Sequence, residues 1–163
     1  MGGAVDVDHL KGVNMGFRRS AVDGLSFDRR LRGFGAQYRN DLAFSLELKR
    51  RGWRIVYDPA VSVDHFSGQR YGDDQRGVFS ASAVEEAAYN ETLILMDHLH
   101  FHGRVAHILF AFFVGDKYLA GVAQSIRLLP HEGFVSLMRL IYSSRGRLRG
   151  FLDWFCSKFG CRR

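Results

Sequence analysis

Asp41 follows Arg39-Asn40 at the head of an apolar helical pattern, and His65 closes a run in which apolar residues alternate with polar ones. A carboxylate at such a place can take a proton from a hydroxyl group, and an imidazole at a strand end can reach a metal ion or a phosphate. The same residues have plainer uses, Asp41 as a helix cap and His65 as a polar strand end. Asp6-Val7-Asp8 spells a pattern of carboxylates that can hold a divalent cation on nucleotide phosphates, or that can sit as polar positions on an exposed strand. His98, His100 and His102 alternate; on one helix only the first and last share a face, and no acidic or cysteine partner stands beside them, so a metal site there is disfavoured. Cys156 and Cys161 are too widely spaced for a zinc knuckle and lack a second pair. The chemistry worth following is therefore that of the segment ending at His65.

The elements that must position these groups are short. Val13 to Phe17 reads as a strand and Ser20 to Gly24 as one helical turn. Asn40 or Asp41 is a fitting N-cap for a helix that runs to Arg51, with cations in the last turn and Gly52 as its stop. Trp53 to Tyr57 is β-rich and ended by Asp58-Pro59, and Val61, Val63 and His65 share one face of a second strand. Helix starts and strand ends are where an α/β sheet opens into a crevice.

Beyond the polar, glycine-rich link from Ser67 to Gly77 the pattern becomes helical. Ala81 to about His102 and Arg104 to about Leu129 are long candidates, and Phe134 to Tyr142 and Leu148 to Phe159 shorter amphipathic ones, with breaks expected near Gly115, Pro130 to Gly133 and Arg145-Gly146. The run Val105 to Val114 is about half the ~20 residues of a membrane span, which points to a buried or interfacial helix. The 163 residues are 47% apolar and 25% charged, enough for a core and against general disorder. The opening residues lack a basic segment followed by an apolar stretch, and two cysteines fit reduced thiols, so a cytoplasmic location is expected. The whole net charge of +6 arises from Arg139 onward, where Arg, Lys and aromatic residues mix. A basic amphipathic tail suits either packing with a solvated face or docking on an anionic membrane surface, such as the inner face of the membrane; no nucleic-acid motif accompanies it.

Leu10 to Arg19 (LKGVNMGFRR), Phe27 to Gly35 (FDRRLRGFG) and Tyr38 to His65 together resemble the C-terminal half of family-2 glycosyltransferases, inverting enzymes with a GT-A fold. The likeness lies in the order of pieces: Gly-x-Asn-Met, Phe-Asp, an acidic pair at a helix start, Gly-aromatic, Tyr-x-Pro and a strand ending in His. It covers residues 10–66 well and the helical part loosely. It implies an α/β fold, a partial GT-A-like short mixed sheet with one central helix over residues 1–70, then a linker at 71–80 and a helical extension of three to four helices over 81–163. It further implies that Asp41 is the general base, that Asn14 and Met15 line the donor–acceptor site, and that Arg39 and Asn40 flank the base. His65 would reach a metal ion or the pyrophosphate.

The implied partners are a nucleotide sugar and a glycan or lipid-linked acceptor, with a Mg²⁺ or Mn²⁺ ion held mainly by a nucleotide-binding half. Two departures stand out. Asn40 occupies a place where the family often has Glu. Only nine residues precede Leu10, too few for the βαβ units of that half, which would have to be supplied in trans or by further chain. In register, Asp6-Val7-Asp8 falls just before the Asn-Met piece and well after the family's metal motif. Two functions are thus expected: part of a sugar transferase inactive by itself, or a non-catalytic module for membrane-peripheral or protein interaction derived from one.

Overall fold

The computed structural model describes residues 3–33, 37–66 and 78–160. In chain order these form β1 (Val5–Asp6), α1 (Arg19–Val22), α2 (Asn40–Arg50), β2 (Val56–Tyr57), α3 (Ala81–His98), α4 (Phe101–Phe113), α5 (Val122–Glu132) and α6 (Phe134–Phe159). They divide into two compact units, Met1–Arg30 with Arg39–Gln69, and Leu31–Tyr38 with Arg70–Arg163.

The expected α/β, GT-A-like mixed sheet is overturned. Among the described residues the only ladder is an antiparallel pair of two-residue strands, Val5 opposite Tyr57 and Asp6 opposite Val56, and six helices carry the rest. Alternating apolar residues make a strand only where a neighbouring backbone accepts the hydrogen bonds. Val13 to Phe17 instead enters through a turn, closed by Asn14 N–H donating to Lys11 O at 3.2 Å. Val61 and Val63 keep extended backbone with exposed side chains and pair with no strand among the described residues.

In the first unit α2 is the organising element. Its end is a Schellman motif: Trp53 N–H donates to Leu48 O at 3.1 Å and Gly52 N–H to Lys49 O at 2.9 Å, with Gly52 at φ 86°. Phe44 and Leu48 from α2 pack with Ala21 and Ile55, and Val7, Leu10, Val22 and Leu25 close over them. Buried Ser45 accepts the Leu10 N–H at 3.2 Å, which draws the chain ahead of the Asn-Met piece onto the helix.

In the second unit α3 and α6 are the central pair. Ser80 caps α3 by accepting the Ala83 N–H at 3.3 Å. Where sequence pattern suggests a break at Arg145-Gly146, α6 runs unbroken for 26 residues. Gly146 and Gly150 are buried there because the α3 backbone passes too close for a side chain, a Cβ on Gly146 falling 2.1 Å from Glu85 O. The helical stretch from Arg104 to Leu129 divides at the break expected near Gly115, whose φ is 70°. Arg147, 2% exposed, reaches that turn and donates to Leu119 O at 2.5 Å and Ala120 O at 3.1 Å, beside Ser143 donating to Ala120 O at 2.7 Å. Ser125 and Ser136 exchange side-chain and backbone hydrogen bonds and fasten α5 to α6.

His107 on α4 has its Nε2 buried with no hydrogen bond among the described residues. Burial first, and then the Arg147 charge, lower its pKa from 6.5 to about 4. The unfolded chain takes this proton near pH 6.5 and the folded one resists until about 4, so stability must fall as pH drops through that window. Replacing His107 by Leu should flatten that loss by on the order of 2 kcal/mol, screening by solvent included. Urea unfolding at pH 7 and pH 5 checks this; equal pH dependence in both proteins would contradict it.

Candidate functional site

The first unit brings together three pieces that lie far apart in sequence. The Lys11–Asn14 turn meets the start of α2 through Gly12 N–H donating to Asp41 Oδ2 at 3.2 Å. Asn14 Nδ2, on the same turn, donates to Val61 O at 2.9 Å, which fixes the extended segment leading to His65. Met15 belongs to this cluster, its Cε 4.0 Å from where a Cβ on Gly12 would lie.

Asp41 is half-buried and does not occupy the N-cap itself. That position belongs to Arg39, with no side-chain cap, and Asn40 is the first helical residue. Asp41 Oδ1 nevertheless accepts the Leu42 N–H at 2.8 Å, which satisfies one of the orphan donors of the first turn. The carboxylate thus faces two backbone donors, one from its own helix and one from the turn. Arg39 adopts φ 68° and ψ 16°, the left-handed region, and is alone in this among the described non-glycine residues. A side chain with a Cβ is held there only where its surroundings determine the backbone.

His65 is not drawn into the cluster by any contact among the described residues; its side chain is exposed, and so is the stretch Val61 to Phe66. Asp6 and Asp8 are turned to cations of the same unit. Arg54 grips Asp6 with two nitrogens at 3.0–3.1 Å, and Lys49 Nζ lies 2.5 Å from Asp8 Oδ1. The Lys49 hydrogen bond, with its charge, holds the Asp8 carboxyl below the usual carboxylate range. Among the described residues no three His, Cys, Asp or Glu side chains gather as a cation would require. His98 ends α3, His100 precedes α4 at its N-cap position without a side-chain cap, and His102 lies within α4, so the alternating histidines do not share one helix. Cys156 is half-buried on α6, and Cys161 lies outside the described residues.

A cavity of about 520 Å³ opens in the same unit, with Phe17, Arg18, Trp53 and Arg54 among its walls. Phe17 and the pair Trp53-Arg54 are marked by sequence pattern only as parts of separate strands, and nothing in spacing foretells that they share a wall with Arg18.

Arg139, Arg145, Arg149 and Lys158, described cations of the tail, are engaged on their own unit. Arg145 and Arg149 face Glu85, Arg139 lies 2.9 Å from Glu132, and Lys158 lies 3.8 Å from Asp97. Phe134, Leu137, Ile141, Leu148, Leu152 and Phe155 are exposed along α6. The apolar run of α4 is likewise open, with Val105, Leu109, Phe110 and Phe113 exposed and Ala111 buried, so the run from Val105 to Val114 is not a buried helix. Among the described residues no helix is long and apolar enough to cross a membrane. No family model, curated protein or solved structure matches the chain.

Proposed function

We propose that the first unit is the acceptor-side part of an inverting sugar transferase that draws on a nucleotide diphosphate sugar, with Asp41 as general base. The observation that supports this is the meeting of the Asn-Met turn with the helix start: Gly12 N–H on Asp41 Oδ2, and Asn14 on Val61 O, join the pieces to which the resemblance assigns one site. Asp41 would take the proton of an acceptor hydroxyl as that oxygen attacks the anomeric carbon. The sugar–phosphate bond breaks on the opposite face, the nucleotide diphosphate leaves with the bonding pair, and the configuration inverts. Positioned proton transfer of this kind contributes roughly 10²–10⁴-fold. Arg39 beside the base is a cation for phosphate charge, and Asn40 offers an amide to a sugar hydroxyl. A Mg²⁺ or Mn²⁺ ion would neutralise the leaving diphosphate; the described residues do not gather a site for it, and the role derived for this chain is the proton transfer alone. The reading carries with it a cytoplasmic location and a glycan or lipid-linked acceptor.

The described residues hold no set of βαβ units for a nucleotide. Calorimetric titration of the chain with nucleotide diphosphate sugars and Mn²⁺ should therefore give no tight binding, and transfer should require a nucleotide-binding half. Micromolar affinity of the chain alone would contradict this division of labour.

The exposed apolar rows on α4 and α6 favour a second reading, a membrane-peripheral or protein-interaction module. Large apolar patches on a surface commonly mark such contacts. The pairing of Arg139, Arg145, Arg149 and Lys158 with carboxylates of the same unit weakens the electrostatic part of membrane docking.

A further inference from the structure

Two sides of α6 differ in what they meet. Ser136, Ser143, Gly146, Arg147, Gly150 and Trp154 are buried within the helical unit. Phe134, Ile141, Leu148 and Phe155 recur every seven residues and are exposed, and exposed Leu137, Leu152 and Phe159 stand three or four residues from them. At ~100° per residue these apolar side chains fall within an arc of about 60°, on a side that the buried residues do not share. Such a row is narrower than the band of roughly 100° or more by which a surface helix meets a core. Its seven-residue period is that of a coiled-coil seam.

The size of the row suits another helix of the same kind. α6 has 26 residues and is about 39 Å long. The open fractions run from 40% at Leu137 to 70% at Phe134, and at ~200 Å² for a large side chain they amount to roughly 700 Å² per chain. Two copies closing on the row would bury about 1,400 Å² together, within the range of a specific interface. Arg145 and Arg149, on the border of the row, are held by Glu85 of α3, so two copies can meet without bringing uncompensated cations together. The same pairing leaves those cations little charge to offer an anionic lipid surface. A row that is alike on both copies closes under a two-fold axis, the commonest symmetry of protein assemblies.

We propose that the exposed row of α6 is a seam on which a second copy of this chain docks, α6 against α6, to form a two-fold dimer. The dimer rests on the interaction-module reading above, to which it gives a partner, and does not depend on sugar transfer. Ser144-Arg145 interrupts the row between Ile141 and Leu148, so the dimer is weak and dissociates on the order of 10–100 µM. At the lower concentrations of circular dichroism the chain is a monomer, and truncating a side chain of the row is silent in folding there.

Sedimentation equilibrium of the full chain from about 5 to 500 µM should show the mass rise from 18.6 kDa toward twice that value. Leu148→Glu places a charge near the middle of the seam and should raise the dissociation constant about 30-fold or more, with helical circular dichroism unchanged. Leu109→Glu, on the exposed side of α4, should leave the dimer as in the parent. Where Leu148→Glu fails to fold, Ile141→Gln takes its place, with an expected weakening of about tenfold. A parent that stays monomeric throughout would overturn the seam, and so would a dimer that Leu109→Glu weakens as much as the α6 variant does. Phosphatidylcholine vesicles tell the failures apart. A monomer that binds them and is released by Leu148→Glu has lipid on the row, which ends the dimer but keeps a membrane-peripheral module. A monomer that leaves the vesicles alone ends both.

Discussion

Gly146→Ala is expected to cost the helical unit about 3 kcal/mol, near the upper range for overpacking. The added Cβ would sit 2.1 Å from Glu85 O and 2.9 Å from the Ala88 Cβ, and neither is the end of a flexible chain. One of the helices must move away, which also disturbs Gly150, where a Cβ would lie 2.6 Å from Tyr89 O. Neighbouring Arg147 would then be pulled from the carbonyls of Leu119 and Ala120, leaving buried acceptors short of a donor. Helix propensity works the opposite way, since Ala is the better helix former by ~1 kcal/mol, so a net loss can arise only from the close approach. Urea unfolding followed by helical circular dichroism should show the midpoint fall sharply for Gly146→Ala and hardly at all for Leu148→Ala on the exposed side of α6. A stabilised Gly146→Ala would mean that α3 and α6 do not pack as closely as described.

This glycine also shows where sequence stops being informative. Pattern alone makes Arg145-Gly146 a break between two short helices, because a glycine in a helix interior is usually a weakness. Only the neighbouring α3 backbone explains why it lies inside one long helix, and that neighbour is some sixty residues away in the chain. α2 is a different case. Its apolar spacing, its cations in the last turn and Gly52 after its end are all local, and local features are what a sequence displays. The strands were misleading for a related reason. Val61, Val63 and Trp53 to Tyr57 alternate as strands do, yet pairing needs a partner that alternation cannot supply, and only Val56–Tyr57 finds one among the described residues.

The candidate site divides along the same line. Asp41, Asn14 and Met15 could be singled out because their order along the chain resembles a known arrangement, and the structure places all three about one turn. Arg39 is set apart by its left-handed backbone, which residue type does not reveal.

The Asp41 carboxylate is where structure and proposed chemistry can be separated. Asp41→Asn preserves the size of the side chain and one oxygen for the Gly12 or Leu42 N–H, so the turn and helix start should survive with a loss of about 1 kcal/mol. Asp41→Ala removes both acceptors and should destabilise the unit further. Turnover responds to a different property, the ability to accept a proton, which Asn lacks. The decisive measurement is sugar transfer by Asp41→Asn in an enzyme completed with a nucleotide-binding half, read beside its thermal unfolding. With Asp41 as the base, the variant stays folded, its donor KM barely changes and its kcat falls ~10²-fold or more. Near-full transfer by Asp41→Asn, with Asp41→Ala only lowering the melting temperature, would make this carboxylate a tie between the Gly12 turn and α2 and nothing more.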